Sequence, residues 1–181
     1  MQDIIRFHVP CHIKYTKFVE DFSRVASGYL YPQSDEVFAS KLCAVMNEVF
    51  VNIVEHTDTA KENEVVRFQF EIGLKYFSIS IYDYGPGFKA DGHLPPYPKD
   101  LIGKKYQLRE TLDGHVFYQI VDPFTISFMF EEKEMNLDDF DDLGMLEDNG
   151  LGISIITKLM DTVTYSYIGN GKFDWKLVKQ I

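Results

Sequence analysis

In the stretch NEVFVNIVEH, residues 47–56, Glu48, Asn52 and His56 recur at every fourth position among apolar side chains. Four residues bring an α-helix back to nearly the same direction, so a carboxylate, an amide and an imidazole share one stripe while Val49, Phe50, Ile53 and Val54 pack elsewhere. Two glycine pairs follow, Gly85 and Gly87 in YDYGPGF and Gly150 and Gly152 in DNGLGIS. The second pair leads straight into a helical pattern with Ile153, Ile156, Leu159 and Met160 on one face. The free N–H groups and dipole at such a helix start favour an anion, and a phosphate fits there.

Familiar phosphate loops do not account for these glycines. The sequence contains no GxxxxGK[ST], which excludes a P-loop. Gly85, Gly87 and Ala90 match GxGxxA after a strand, but a dinucleotide fold needs a helix opening at those glycines. Gly92, Pro95, Pro96 and Pro98 leave no room for one. Taken singly, each glycine pair is better explained by a turn or helix start that needs glycine's backbone freedom, and only their order and combination point to a site.

The elements that must position these residues can be read from periodicity. Ile4 to Val9 reads as a strand halted by Pro10, and Tyr15 to Leu30 as a helix with Phe18, Phe22, Val25 and Leu30 at helical spacing. A long helix with Val37, Phe38, Leu42, Val45, Val49 and Ile53 carries the polar stripe in its C-terminal half. Ser34 and Asp35 are its capping candidates. VVRFQFEIG and LKYFSISIYD alternate with period two and predict a hairpin whose second strand ends at Asp83. DGHLPPYPKD is loop, and the stretch from there to Leu112 shows no clear pattern. HVFYQIV and FTISFMF predict a further strand pair, and VTYSYIGNGKFDWKLVKQ predicts two strands joined by a GNG turn. Paired strands with helices grouped elsewhere indicate an α+β two-layer sandwich, a mixed and mostly antiparallel sheet with helices on one face.

Bulk properties narrow the function classes. The chain has 181 residues, 45% of them hydrophobic, enough for one domain with one core. Its net charge of −10 lacks the clustered Lys and Arg that phosphate neutralisation needs, which argues against nucleic-acid partners. Residues 131–148 hold nine acids against one lysine, so the rest of the chain is nearly neutral. The acidic NLDDFDDLGMLED does not follow the calcium-loop order and reads as a solvated face. Cys11 and Cys43 have no metal-ligand spacing and predict free thiols. No run of 18 apolar residues and no leader pattern occurs, so the expectation is a soluble cytoplasmic protein without a membrane partner.

The order ExxxN on a long helix, DxGxG at a strand end, and GxG opening a later helix resembles the GHKL (Bergerat-fold) ATPases. That group comprises DNA gyrase B, heat-shock chaperones, histidine kinases and mismatch-repair proteins. Glu48 and Asn52 match its N box, Asp83, Gly85 and Gly87 its first glycine box, and Gly150 and Gly152 its last. The small size, with His56 closing the N box and MDTVTYSYIGNGKFDWKLVK at the end, is similar to the bacterial anti-sigma-factor serine/threonine kinases of partner-switching systems. The resemblance covers residues 1–88 and 148–181. It implies one domain over 1–181 with an enlarged lid insertion at about 89–147, binding ATP and Mg2+.

The resemblance also assigns roles. Asp83 would accept a hydrogen bond from the adenine amino group, and Gly85 and Gly87 would let the backbone approach base and sugar. Asn52 would offer an amide oxygen to magnesium, and the amides at Gly150 and Gly152 would meet the phosphates. Glu48 would act as the base toward an attacking hydroxyl. His56, at a helix end, is better read as a cap than as a catalytic group. The implied partners are an anti-sigma-factor antagonist protein, a sigma factor and a second copy of the chain. Two departures stand out: the long segment between the glycine boxes, read as a β-hairpin plus a mobile acidic lid, and GNGKF, where the family's threonine has no counterpart. The alternative functions are a non-catalytic ATP-dependent protein-binding switch and a detached histidine-kinase catalytic domain. The latter is disfavoured because residues 1–30 hold one strand and one helix rather than a dimerising helix pair.

Overall fold

The computed structural model describes residues 3–30, 36–56, 64–111, 113–133 and 151–180. Eight strands form one sheet, β1 (Asp3–Pro10), β2 (Val65–Ile72), β3 (Tyr76–Tyr84), β4 (Lys105–Thr111), β5 (Gly114–Asp122), β6 (Thr125–Glu132), β7 (Thr162–Gly169) and β8 (Lys172–Gln180). Their spatial order is β1-β2-β3-β8-β7-β6-β5-β4, and each of these neighbouring pairs is antiparallel. Three helices, α1 (Thr16–Leu30), α2 (Glu36–His56) and α3 (Leu151–Leu159), pack on one face. The architecture is therefore the α+β two-layer sandwich that the sequence pattern predicts.

Register explains why one face is covered. Cross-strand partners in an antiparallel sheet point the same way, so Phe7↔Phe68, Phe68↔Ile81, Ile81↔Trp175, Tyr165↔Trp175 and Ile126↔Tyr165 make a continuous apolar surface. Phe68, Phe70, Phe77, Ile79, Ile81 and Leu177 are fully buried there. Burying each such side chain stabilises the fold by about 1.5–3 kcal/mol relative to exposure. The α1 helix lays Phe22 against Phe7 and Phe70, with ring centroids 4.1 and 5.7 Å apart. The α2 helix buries Phe38, Leu42, Val45, Met46, Val49, Phe50 and Ile53. It is long and apolar enough to cross a bilayer by length and composition, but half of that apolar span is buried inside the domain.

Phe38 meets Phe77 at the start of β3, at 6.2 Å, while Phe50 meets Phe68, the cross-strand partner of Ile81, at 6.4 Å. The helix thus advances in the same direction as β3. Its polar C-terminal half reaches the strand end where Asp83 stands.

The segment after β3 departs from the predicted pattern. Residues 105–111 and 113–132 form a three-stranded meander, β4–β5–β6, that extends the main sheet beyond β7. The β4 strand is unpredicted because a register shift between Gln107 and Arg109 breaks its alternation, and an edge strand needs only one paired side. The acidic run from Glu134 to Asp148, the caps Ser34 and Asp35, and Gly150 lie outside the described residues.

Candidate functional site

The predicted residues fall into two clusters. The first joins α2 to α3. Glu48 is half-buried and Asn52 exposed, as expected at the border of the face that α2 buries. The Asn52 side-chain nitrogen donates to Glu48 Oε1 at 3.4 Å, so the amide oxygen is the end that a hard cation would take. Gly152 in the first turn of α3 lies directly on Glu48: an added Cβ would come within 1.8 Å of Glu48 Cγ and 2.4 Å of its Cδ. Only a glycine lets the two helices approach this closely. The N-box pair and one residue of the last glycine box, 100 positions later in sequence, are therefore neighbours.

Among the described residues no group of three His, Cys, Asp or Glu side chains is placed to hold a metal. A cation here would depend on Asn52 together with ligand oxygens, which suits magnesium, an ion that keeps waters and phosphates in its shell.

The second cluster surrounds Asp83 near the end of β3. Asp83 is 2% exposed, and its Oδ1 is buried without a hydrogen-bond partner. Burial, reinforced by the negative charge of Asp174, pushes its carboxyl up to about 7, with the Tyr165 hydroxyl opposing. Asp174, on the neighbouring strand but the opposite sheet face, is itself pushed up to about 6 by burial. It accepts a hydrogen bond from Ser80 Oγ at 3.4 Å, while its Oδ1 is also without a partner. An orphaned buried carboxylate oxygen is costly and calls for a donor, which an exocyclic amino group supplies. Cys11 does not complicate this chemistry: burial and the charge of Asp83 push its thiol up to about 11, which keeps it protonated and unreactive.

Gly85 is half-buried in the loop after β3. Gly87 has φ of +81°, and a Cβ there would sit 2.7 Å from Phe173 Cζ and 3.5 Å from Leu94 Cδ2. Phe173 is the cross-strand partner of Asp83 and stacks on Tyr165 with centroids 4.9 Å apart and planes within 8°. Tyr165 and Phe173 carry no signal in the sequence beyond ordinary strand alternation, so their place at the carboxylate is visible only in the fold. His56 is exposed at the last position of α2, with Nε2 3.9 Å from Glu55 Oε2.

Of the predicted site residues, Glu48, Asn52 and Gly152 come together, and Asp83 and Gly87 come together around Phe173. Gly85 lies between Asp83 and Gly87 in the same loop.

A sheet with helices on one face, an N-box pair against a glycine-opened helix, and a buried strand-end aspartate define a GHKL nucleotide-binding domain. The sequence profile of the histidine kinase-like ATPase domain matches residues 19–173, and the chain belongs to that family. Comparison with curated proteins gives no match. ATP and magnesium are the ligands this family generally takes, and the orphaned Asp83 oxygen and the Asn52 amide fit them.

Proposed function

We propose that the domain is an ATP-dependent protein serine/threonine kinase that acts as an anti-sigma factor, phosphorylating a small antagonist protein and, in its other state, holding a sigma factor. The observation that carries this reading is the convergence of Glu48, Asn52 and Gly152 where α3 meets α2, the helix that runs along β3 in the direction of Asp83. Bound magnesium-ATP would supply the transferable phosphoryl group, with the cation offsetting the negative charge of the phosphate oxygens. Asp83 would accept a hydrogen bond from the base amino group, and Asn52 would offer its amide oxygen to the cation. Glu48 takes the proton of the incoming hydroxyl at the carboxylate oxygen that Asn52 leaves free, as the hydroxyl oxygen bonds to the γ-phosphorus and ADP leaves. One turn before Glu48, a groove of about 340 Å³ between α2 and α3, lined by Ser40, Lys41, Ala44, Ile155, Lys158 and Leu159, gives an acceptor segment a place to lie.

The test is transfer from labelled magnesium-ATP to a small antagonist protein of a partner-switching system, offered as the acceptor. Glu48→Ala is expected to lower transfer by about 100-fold or more, the usual contribution of a positioned base, while ATP affinity changes only a few-fold. Binding of ATP without transfer would favour a non-catalytic switch, a reading that the closed surroundings of Asp83 also support.

We further propose that the active form is a homodimer. The β1 strand is an edge of the sheet among the described residues, with Ile4 and Ile5 exposed, and α1 beside it exposes Phe18, Val25 and Tyr29.

A further inference from the structure

A base that reaches Asp83 has to lie along the glycine loop, and the inner side of that loop is already filled. The edge of the Phe173 ring lies under Gly87, close enough that even a methyl group there would overlap it at 2.7 Å. The ring is held by a parallel stack on Tyr165 and by Tyr167, whose centroid is 5.2 Å away. Asp83 is the direct cross-strand neighbour of Phe173 and is sealed from solvent with one oxygen unpaired. The arrangement leaves a polar atom in want of a donor behind an apolar ring. Phe173 also sits beside the hairpin end of β8, where Gly169, Asn170 and Gly171 all have positive φ and the β7–β8 register shifts between Tyr167 and Gly169. Phe173 is the second residue of β8, directly after that turn, and is paired with Asp83 on one side and Tyr167 on the other.

We propose that Phe173 is an internal plug of the base pocket: the ring occupies the bed beneath Gly87, and a nucleotide with an exocyclic amino group binds by displacing it and pairing with Asp83. This rests on the ATP-binding reading of the site. The affinity measured for the nucleotide is then reduced by the fraction of molecules in which the ring has moved away. A smaller side chain at 173 removes that reduction, and the pocket becomes competent without rearrangement.

The chain carries its own reporter. Its single tryptophan, Trp175, lies 4.6 Å from Tyr165, the residue on which Phe173 stacks. Displacing the ring changes the surroundings of Tyr165 and, through it, of Trp175.

The full chain is titrated with magnesium-ATP, and affinity is measured by equilibrium dialysis alongside Trp175 emission. Phe173→Leu is expected to bind about tenfold more tightly than wild type and to lose most of the emission change that wild type undergoes on binding. Wild type that binds ATP while folded Phe173→Leu binds no more tightly would overturn the plug and make the ring part of the binding wall. Absence of binding by both folded proteins would overturn the ATP reading itself, and the plug with it. Should Phe173→Leu fail to fold, Phe173→Val and the wild-type emission decide: ATP bound without any change at Trp175 rejects displacement of the ring.

Discussion

At the scale of single residues, Asp83 links stability to function. Its carboxyl ionises near 7 in the folded protein and at 3.8 in an unperturbed one, so between these values the folded state binds more protons than the unfolded state. The contribution of Asp83 to stability is thus fully present below pH 4 and is lost as pH rises through 7. Asp83→Asn keeps the shape and removes the charge. It is expected to be more stable than wild type by roughly 2–4 kcal/mol at pH 8, with the difference vanishing near pH 4. Urea denaturation at a series of pH values measures this, and an unchanged difference across the range would refute it. The same variant is expected to lose ATP affinity, the sign of a residue kept for binding and not for folding. Asp83 was legible in the sequence because a strand of strict alternation ends on it just before YGPGF. Its neighbours were not: Phe173 and Tyr165 obey the same alternation as Leu177 and Val163, which are plain core, and only register places them beside a carboxylate.

At the scale of elements, the site depends on how closely α3 lies on α2. Gly152 is helical, where alanine is intrinsically favoured by about 1 kcal/mol. Against that gain stands a methyl group 1.8 Å from Glu48 Cγ, which requires the carboxylate or the whole of α3 to move. Overpacking of this kind costs about 1–3 kcal/mol, so Gly152→Ala is expected to be destabilising despite its better propensity. Glu48→Ala deletes the atoms in the way. The double variant is therefore expected to recover the loss and gain the helical preference, and a double-mutant cycle by urea unfolding that gives additive effects would exclude direct contact. The α2 helix and the β2–β3 and β7–β8 hairpins were legible because each carries its own period and turn chemistry. The β4 strand was not, because its bulge erases the period, and neither was the extension of the sheet by the meander, which is set by pairing between β6 and β7 rather than by any local signal.

At the scale of the whole molecule, the described residues form an eight-stranded open sheet with two edges, and these differ in character. The β4 edge carries Lys105, Arg109 and Glu110 and a bulge, features that discourage another strand from pairing. The β1 edge has Ile4 and Ile5 exposed, and on the helical side a cavity of about 280 Å³ lined by Ile5, Phe22, Val25, Ala26, Tyr29 and Phe70 opens beside it. Two copies meeting through antiparallel β1 edges are related by a twofold axis, which brings both α1 patches to the same side of the joined sheet. Val25 is 67% exposed, so changing it leaves the monomer core untouched. Sedimentation is expected to give twice the 21.0 kDa chain mass for wild type at micromolar concentration. Val25→Glu, alone or with Ile5→Lys, is expected to sediment as a monomer with an unchanged circular dichroism spectrum, because a charge in this apolar groove would be buried unpaired on association. A wild-type monomer would remove the interface altogether, whereas a Val25→Glu dimer would move it away from α1. Because the groove lies at the β1 edge and Glu48 faces α3, the monomeric variant is also expected to retain ATP binding, which separates assembly from the chemistry of the site.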